Sequence, residues 1–251
     1  MLNNCYLSEI YSAIQGEGPL VGIRQIFIRF SVCDLRCIWC DTPDSLVRTK
    51  YCEIEQNAGL RNFNKVKNPI EASTLISIIS NLLPKSHHSI SLTGGEPLLQ
   101  VDTLLSLVPK IKKDFLLPIY LETGGHRPDK LKEVVHLLDY ISMDFKLPSS
   151  AGTSLLWDKH LEFLKISLDA KKNVWVKIVV TNNTSFDELI NSVNLVKSVG
   201  DQIDIFLQPV TRISTVSPPN EKELLNIHSR LLEHYPYVRV LPQVHKLIGQ
   251  R

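Results

Sequence analysis

Three cysteines fall within eight residues in Cys33-Asp-Leu-Arg-Cys37-Ile-Trp-Cys40, separated by three and then two intervening residues. A loop this short can wrap its sulfurs around one small centre, and thiolates suit both iron–sulfur clusters and zinc. A structural zinc wants a fourth ligand, and no nearby Cys or His continues a zinc pattern. A four-iron cluster on three thiolates leaves one iron free for an outside ligand. The amino and carboxylate groups of S-adenosylmethionine can chelate that iron. An electron from the cluster can then break a carbon–sulfur bond to give a 5′-deoxyadenosyl radical. The blander reading takes the three cysteines as small buried apolar residues, and the loop-like flanks weigh against it. Cys5 and Cys52 stand alone and read as free thiols, Cys52 being a weaker alternative ligand.

The rest of the chain must position that loop. Its 251 residues suffice for one domain with a substantial core. Hydrophobic residues at 43% and charged residues at 22% are the balance of a soluble globular protein. A net charge of +2 without a dense Lys/Arg run gives no ground for a nucleic-acid partner. No stretch of about 18 apolar residues spans a membrane. The start lacks the cationic and apolar regions of a signal peptide, and clustered cysteines do not make a disulfide framework. The expected compartment is a reducing cytoplasm.

Short apolar runs alternate with longer amphipathic ones. Strands are expected at Gln25–Ser31, Ser89–Thr93, Pro118–Glu122, Tyr140–Phe145, Asn173–Val180, Asp204–Gln208 and Tyr237–Leu241. Helices are expected near 71–83, 101–114, 128–138, 154–170, 185–199 and 220–234, with Gly200 placed to cap the fifth. This rhythm implies a parallel sheet with crossover helices, as a full or partial barrel or an open wound sheet. The polar stretch 44–70 interrupts it and reads as an insertion or mobile loop within a single domain, 1–251. The polar motifs follow strand ends: the cysteine loop, Thr93-Gly-Gly-Glu-Pro97, Glu122-Thr-Gly-Gly125, Asp144-Phe-Lys146, Thr181-Asn-Asn183, Gln208-Pro209 and His245-Lys246. In a parallel barrel those ends share one face, where barrel enzymes build their sites.

The cysteine spacing resembles the defining motif of the radical S-adenosylmethionine superfamily, and Thr93-Gly-Gly-Glu-Pro97 resembles its glycine-rich turn. Adjacent glycines let backbone approach a ligand, and the resemblance places Gly95 and Glu96 at the methionyl amine. Further motifs narrow it: Ile14-Gln-Gly-Glu-Gly18, Phe27-Ile-Arg-Phe30, Cys40-Asp-Thr42, Glu122-Thr-Gly124, Lys146 with Pro148-Ser-Ser150, Gln208-Pro-Val210 and His245-Lys-Leu247. Together these resemble the 7-carboxy-7-deazaguanine synthase family from about residue 8 to 248, missing chiefly 44–70. The resemblance implies an incomplete parallel βα barrel of the radical S-adenosylmethionine type, with fewer helices than a complete barrel. It implies conversion of 6-carboxy-5,6,7,8-tetrahydropterin to 7-carboxy-7-deazaguanine with loss of ammonia, toward queuosine-type nucleosides. In that reaction the deoxyadenosyl radical takes a hydrogen from C6, and ring contraction follows.

The implied residues make chemical sense. Arg29 offers a planar fork of donors for a carboxylate. Gln15 and Glu17 match the donors and acceptors of an aminopyrimidinone edge. Ile14, Gly16, Thr93 and His245 complete the implied substrate site. For S-adenosylmethionine the candidates are Trp39, Asp41, Gly95, Glu96, Ser142, Asp144, Lys146 and Gln208, with Met143-Asp-Phe145 departing from the family's commonest form. The cluster would sit on Cys33, Cys37 and Cys40. By the same resemblance Thr42 gives an oxygen to Mg2+, an ion that needs few protein ligands. Without it, Asp41-Thr42-Pro43 is a turn that Thr42 caps, Arg29 is an ion-pairing strand residue, and His245 is structural. A flavodoxin- or ferredoxin-type electron donor and a homodimer are the implied partners. The rivals are a glycyl-radical-enzyme activase, which the Gln15-Gly-Glu17, Gln208-Pro and His245-Lys motifs oppose, and a non-enzymatic protein with structural zinc.

Overall fold

Strand Ser89–Gly94 is apolar on alternate positions and buried along almost its whole length, which requires cover on both faces. The computed structural model describes residues 4–83, 86–213 and 216–251 and supplies that cover. The strands are β1 (Leu7–Ile14), β2 (Arg24–Phe30), β3 (Tyr51–Glu55), β4 (Phe63–Lys67), β5 (Ser89–Gly94), β6 (Ile119–Thr123), β7 (Tyr140–Asp144), β8 (Asn173–Val180), β9 (Ile205–Pro209) and β10 (Val238–Val240). The helices are α1 (Ala72–Leu82), α2 (Val101–Phe115), α3 (Pro128–Val134), α4 (Pro148–Ala151), α5 (Trp157–Asp169), α6 (Phe186–Lys197), α7 (Glu221–Leu232) and α8 (Val244–Leu247).

All strands join one sheet in the order β10-β9-β8-β7-β6-β5-β2-β1-β3-β4. From β2 to β10 every pairing is parallel. The two ends of the sheet, β10 and β4, do not meet, so the barrel is partial. Register carries the motifs to one level: Arg29 pairs with Thr93, Glu122 with Ser142, and Asp144 with Lys177. One continuous core of Ile, Leu, Val and Phe lies between sheet and helices.

Each expected helix is present, so the chain keeps more helices than the resemblance implied. The segment 128–138 is shorter than expected, ending its α-helix at Val134 and closing with a 3-10 turn. Gly200 does not adopt the left-handed capping conformation. α6 stops at Lys197, and the Gly200 N–H reaches back to the Val196 carbonyl at 3.1 Å.

Two differences are larger. β1 was not expected, because LSEIYSAI mixes polar and apolar residues out of a clean alternation. It pairs antiparallel with β2 and parallel with β3. The stretch 44–70 is not a loop: β3 and β4 form a hairpin that extends the sheet beyond β1. Its polar side chains sit on the outermost strand, where charge protects an edge, and Cys52 and Ile54 supply the buried face. Asn68 locks the hairpin back onto β1. Its Nδ2 donates to the carbonyls of Leu7 (2.7 Å) and Thr49 (3.0 Å), and its Oδ1 accepts from the Leu7 N–H at 3.2 Å.

Asn68→Ala leaves these buried backbone groups unpaired. It should cost about 1–3 kcal/mol in urea unfolding, and a neutral result would contradict the packed hairpin. A second prediction concerns His160 on α5, fully buried against Phe145 with ring centroids 4.4 Å apart, its Nε2–H donating to the Gly124 carbonyl at 3.2 Å. Burial pushes its pKa down from 6.5 to about 4. The unfolded chain therefore takes up this proton first, and stability falls as pH drops from 6.5 toward 4. The loss should reach roughly 3 kcal/mol in urea titrations across that window, and the slope should flatten in His160→Gln.

Candidate active site

The parallel strand ends open onto a cavity of about 480 Å³. Every residue that the resemblance assigns to the cluster, S-adenosylmethionine, the substrate or Mg2+ lies on its wall, from Ile14 near one end of the chain to His245 near the other, whereas Thr181-Asn-Asn183 does not.

The cysteine loop is seated on backbone. The N–H groups of Gly95 and Glu96 donate to the carbonyls of Phe30 (2.9 Å) and Val32 (2.8 Å). A Cβ on Gly94 would lie 2.3 Å from the Phe30 oxygen, and one on Gly95 would lie 2.2 Å from the Val32 oxygen. The two glycines therefore admit the chain entering the cysteine loop, a requirement separate from any ligand. Glu96 is buried, and its carboxylate accepts from the Thr123 hydroxyl (2.9 Å to each oxygen), Gly124 N–H (3.0 Å) and Leu98 N–H (3.1 Å). Much of the accepting capacity expected to face a ligand amine thus fastens this turn to the end of β6.

Cys33, Cys37 and Cys40 are free, half-buried, and all on the cavity wall. Cys5 and Cys52 are buried in the apolar core and do not line the cavity. Among the described residues, no three His, Cys, Asp or Glu side chains converge closely enough for a single ion. Three free thiols on one cavity wall are the donor type that an iron–sulfur cluster takes. The Leu35 N–H already points at Cys33 Sγ, 3.4 Å away. Burial pushes the Cys33 thiol up to about 11 and raises Cys37 as well, so ligation has to displace protons.

Thr42 precedes the turn Pro43–Leu46 without capping it through its side chain. The Thr42 carbonyl does that work, accepting from Ser45 N–H at 2.9 Å and Ser45 Oγ at 2.7 Å. The hydroxyl, 3.1 Å from Ser45 Oγ, stays on the cavity wall with lone-pair capacity to spare.

A buried ionic network crosses the floor. Lys177 Nζ lies 2.6 Å from Glu17 and 3.2 Å from Asp144, and Lys146 Nζ lies 2.6 Å from Asp144 and 4.3 Å over the Trp39 ring. Glu17 also accepts from Gln208 (3.1 Å) and Gln243 (3.0 Å). Burial alone would raise the Glu17 carboxyl; the Lys177 charge and these hydrogen bonds outweigh it and lower it. Asp41 is likewise lowered against burial by Lys246, at 2.8 Å, and Gln243, at 3.0 Å. Glu122 has no such cation in contact. Burial and then the Glu17 charge raise it, and it accepts from Gln15 (2.9 Å) and Thr93 (3.0 Å). Ser142 accepts from the Trp175 indole at 3.1 Å.

At the other end Arg29 donates to the Tyr11 hydroxyl at 2.7 Å and lies 3.2 Å from Glu9, whose second oxygen lies 2.7 Å from Arg251. Gly16 packs against the C-terminal turn and the His245 imidazole. A Cβ there would lie 2.3 Å from His245 N and Nδ1, and the Gly16 carbonyl accepts from Val244 N–H at 3.0 Å. Burial lowers the His245 pKa.

A family model described as a 4Fe-4S single cluster domain matches residues 14–157. A 7-carboxy-7-deazaguanine synthase of Geobacter sulfurreducens is 38% identical across 97% of this chain and 97% of its own. The chain belongs to the 7-carboxy-7-deazaguanine synthase family. The namesake from Methanothermobacter thermautotrophicus is 33% identical over 97% of this chain and 96% of its own. Two solved structures share the fold: QueE from Escherichia coli (TM-score 0.59, 18% identity, 96% and 94% of the two chains) and a radical SAM methyltransferase from Sphaerobacter thermophilus (TM-score 0.60, 10% identity, 94% and 77%).

Within this family member, sequence patterns did not single out Lys177, Gln243, Glu9 and Arg251, and they marked Glu122 as a strand-end motif without giving it a role. Lys177 had a signal: it is the one charge inside the apolar strand VWVKIVV, in phase with Trp175 and Val179. Glu9 and Arg251 had none, since only folding brings the two ends of the chain together.

Lys177→Met should cost roughly 3–5 kcal/mol in urea unfolding, because Glu17 and Asp144 would lose their common cation. Adding Glu17→Gln should recover part of that loss; no recovery would show that Lys177 is not the shared partner.

Proposed function

We propose that this chain converts 6-carboxy-5,6,7,8-tetrahydropterin to 7-carboxy-7-deazaguanine and ammonia as a radical S-adenosylmethionine lyase of queuosine-type biosynthesis. The observation that carries this reading is a single cavity lined by three free thiols together with Arg29, Thr93 and Gln15. The named relatives that match nearly the whole chain, and the likeness in fold to an enzyme with bound AdoMet (TM-score 0.52, 14% identity), support it.

With cluster and S-adenosylmethionine bound, reductive cleavage of the sulfonium supplies the 5′-deoxyadenosyl radical. The chain's own residues bind and orient. Trp39, Gly95, Ser142, Asp144, Lys146 and Gln208 line the part of the cavity nearest the thiol loop and the ionic floor, where an adenosyl group would lie, and Asp41 closes that part through Lys246. Gln15 is already ordered by Gln25 (3.0 Å) and Glu122, so it meets the pterin edge with little entropy left to lose. Ile14, Gly16, Glu17, Thr93 and His245 complete that wall. Arg29 shares its charge with Glu9, so an incoming carboxylate is held best with one more cation. The Thr42 hydroxyl, an oxygen donor of the type Mg2+ prefers, would hold that ion, which would supply the further positive charge. Glu122, with its pKa raised in this wall, is placed to hold a proton near the reacting ring. The C-terminal turn is fastened to Gly16 through the Val244 N–H and to Asp41 through Lys246, and so borders this part of the cavity.

The reading extends to a single domain containing the β3–β4 hairpin, a homodimer, a flavodoxin- or ferredoxin-type electron donor and a cytoplasmic setting. Among the described residues no helix is long and apolar enough to cross a membrane.

Anaerobically reconstituted protein with S-adenosylmethionine, Mg2+ and a reductant should release the deazaguanine and ammonia one to one. No product would sink the assignment. Thr42→Ala should lower kcat/KM about tenfold, or about 1.4 kcal/mol, and raise the Mg2+ concentration needed for half-maximal rate. A drop in rate with unchanged Mg2+ dependence would remove the ion from Thr42.

A further inference from the structure

Asp34 lies inside the cysteine loop, next to Cys33, yet its carboxylate is held from outside the loop. His126, on the turn after β6, brings Nε2 to 2.7 Å from Asp34 Oδ1, and Arg127 binds the other oxygen. Asp34 as a carboxylate only accepts, so Nε2 carries the hydrogen. His126 is 3% exposed, and its remaining nitrogen, Nδ1, has no hydrogen-bond partner. That orphan nitrogen sits 3.8 Å from Glu96 Oε2 in the Gly-Gly-Glu turn. A would-be Cβ on Gly124 lies 2.9 Å from the same Nδ1, so the imidazole fills the space beneath the β6 end. Buried unpaired nitrogens are rare enough to ask for a reason. One rigid ring here touches the cysteine loop and the turn whose Gly95 the proposed function places beside S-adenosylmethionine. Arg127 alone would fix Asp34 from the rim, since it is one-third exposed. Of the two residues that hold Asp34, His126 is the one that also reaches Glu96.

We propose that His126 is a positioning residue that couples the cysteine loop to the Gly-Gly-Glu turn, its Nε2 holding Asp34 and its ring backing Glu96. This rests on the cluster and S-adenosylmethionine reading above, but not on the identity of the substrate. The coupling has a physical consequence. A loop fixed through Asp34 fixes the ring, and a fixed ring leaves the Glu96 carboxylate one setting relative to the thiols. Occupation of either segment then lowers the ordering cost of the other, which is linkage between two ligands.

The test needs no turnover. In reconstituted protein, His126→Ala should weaken S-adenosylmethionine binding at least fivefold and shift the cluster's midpoint potential. His126→Gln, whose amide can still donate to Asp34, should restore most of both. Asp34→Asn should weaken binding similarly, and the double variant should show no further loss. In the cluster-free chain, His126→Ala should speed amide hydrogen exchange in both 33–40 and 95–98. Unchanged affinity and potential, additive losses in the double variant, or faster exchange confined to one segment would each overturn the coupling. If His126→Ala does not fold, Asp34→Asn and His126→Gln carry the same comparisons. Failure of the carboxypterin assay would leave these readouts intact, so the two failures are distinguishable.

Discussion

A buried ammonium can persist only where carboxylates and hydrogen bonds repay its lost hydration, and Lys177 sets that requirement at the centre of this fold. Glu17, after β1, and Asp144, at the end of β7, both lie within ion-pair distance of it. Each has further partners: Asp144 holds Lys146 under Trp39, and Glu17 gathers Gln208 and Gln243. Through Gln243 and Lys246 the network continues to Asp41, one residue past the last thiol of the cysteine loop. Strand β8 thus holds, through Lys177, the segment after β1 and the end of β7, and Gln243 links Glu17 onward to Asp41 and the C-terminal turn. Raised apolar walls around it, with Trp175 stacked on Tyr120 at 5.5 Å, keep the local dielectric low and strengthen each pair.

The second constraint is steric. The cysteine loop leaves β2 through Val32, a β-branched residue at φ 83°, an unfavourable conformation that surrounding contacts must hold. Gly94 and Gly95 hold it by presenting bare backbone at distances no side chain tolerates. Glu96 then turns its carboxylate into the end of β6. The thiols are placed by main-chain bonding between two strand ends, a firmer support than side-chain contacts alone would give a loop of this length.

Chemistry separates along the cavity. Near the thiols, charges are paired within the protein, so a ligand meets a preorganised and nearly neutral surface. Toward the hairpin, Glu9 lies between Arg29 and Arg251, while Tyr11 and Phe27 stack at 5.2 Å. The edge hairpin belongs to this end. Arg251 reaches both Glu53 and the Phe63 ring, and Arg61 donates to the Gly249 carbonyl. A segment that resembles an insertion in sequence therefore braces the C-terminal residues, of which Arg251 lines this end of the cavity.

The sequence by itself determined the thiol spacing, the parallel βα alternation and the gathering of polar motifs at strand ends. These are properties of local pattern, since apolar period and glycine placement act over a few residues. β1 was illegible because its polar side chains find partners far away in sequence: Ser12 with His87 and Arg24, and Glu9 with Arg29 and Arg251. The 44–70 hairpin was illegible because edge strands are polar by necessity. Tertiary structure alone decided that Gly16 yields space to His245, that Glu96 braces a turn, that Lys177 binds Glu17 across 160 positions, and that Arg251 meets Glu9. Such pairings depend on which distant charges are stripped of water together, and no local pattern encodes that.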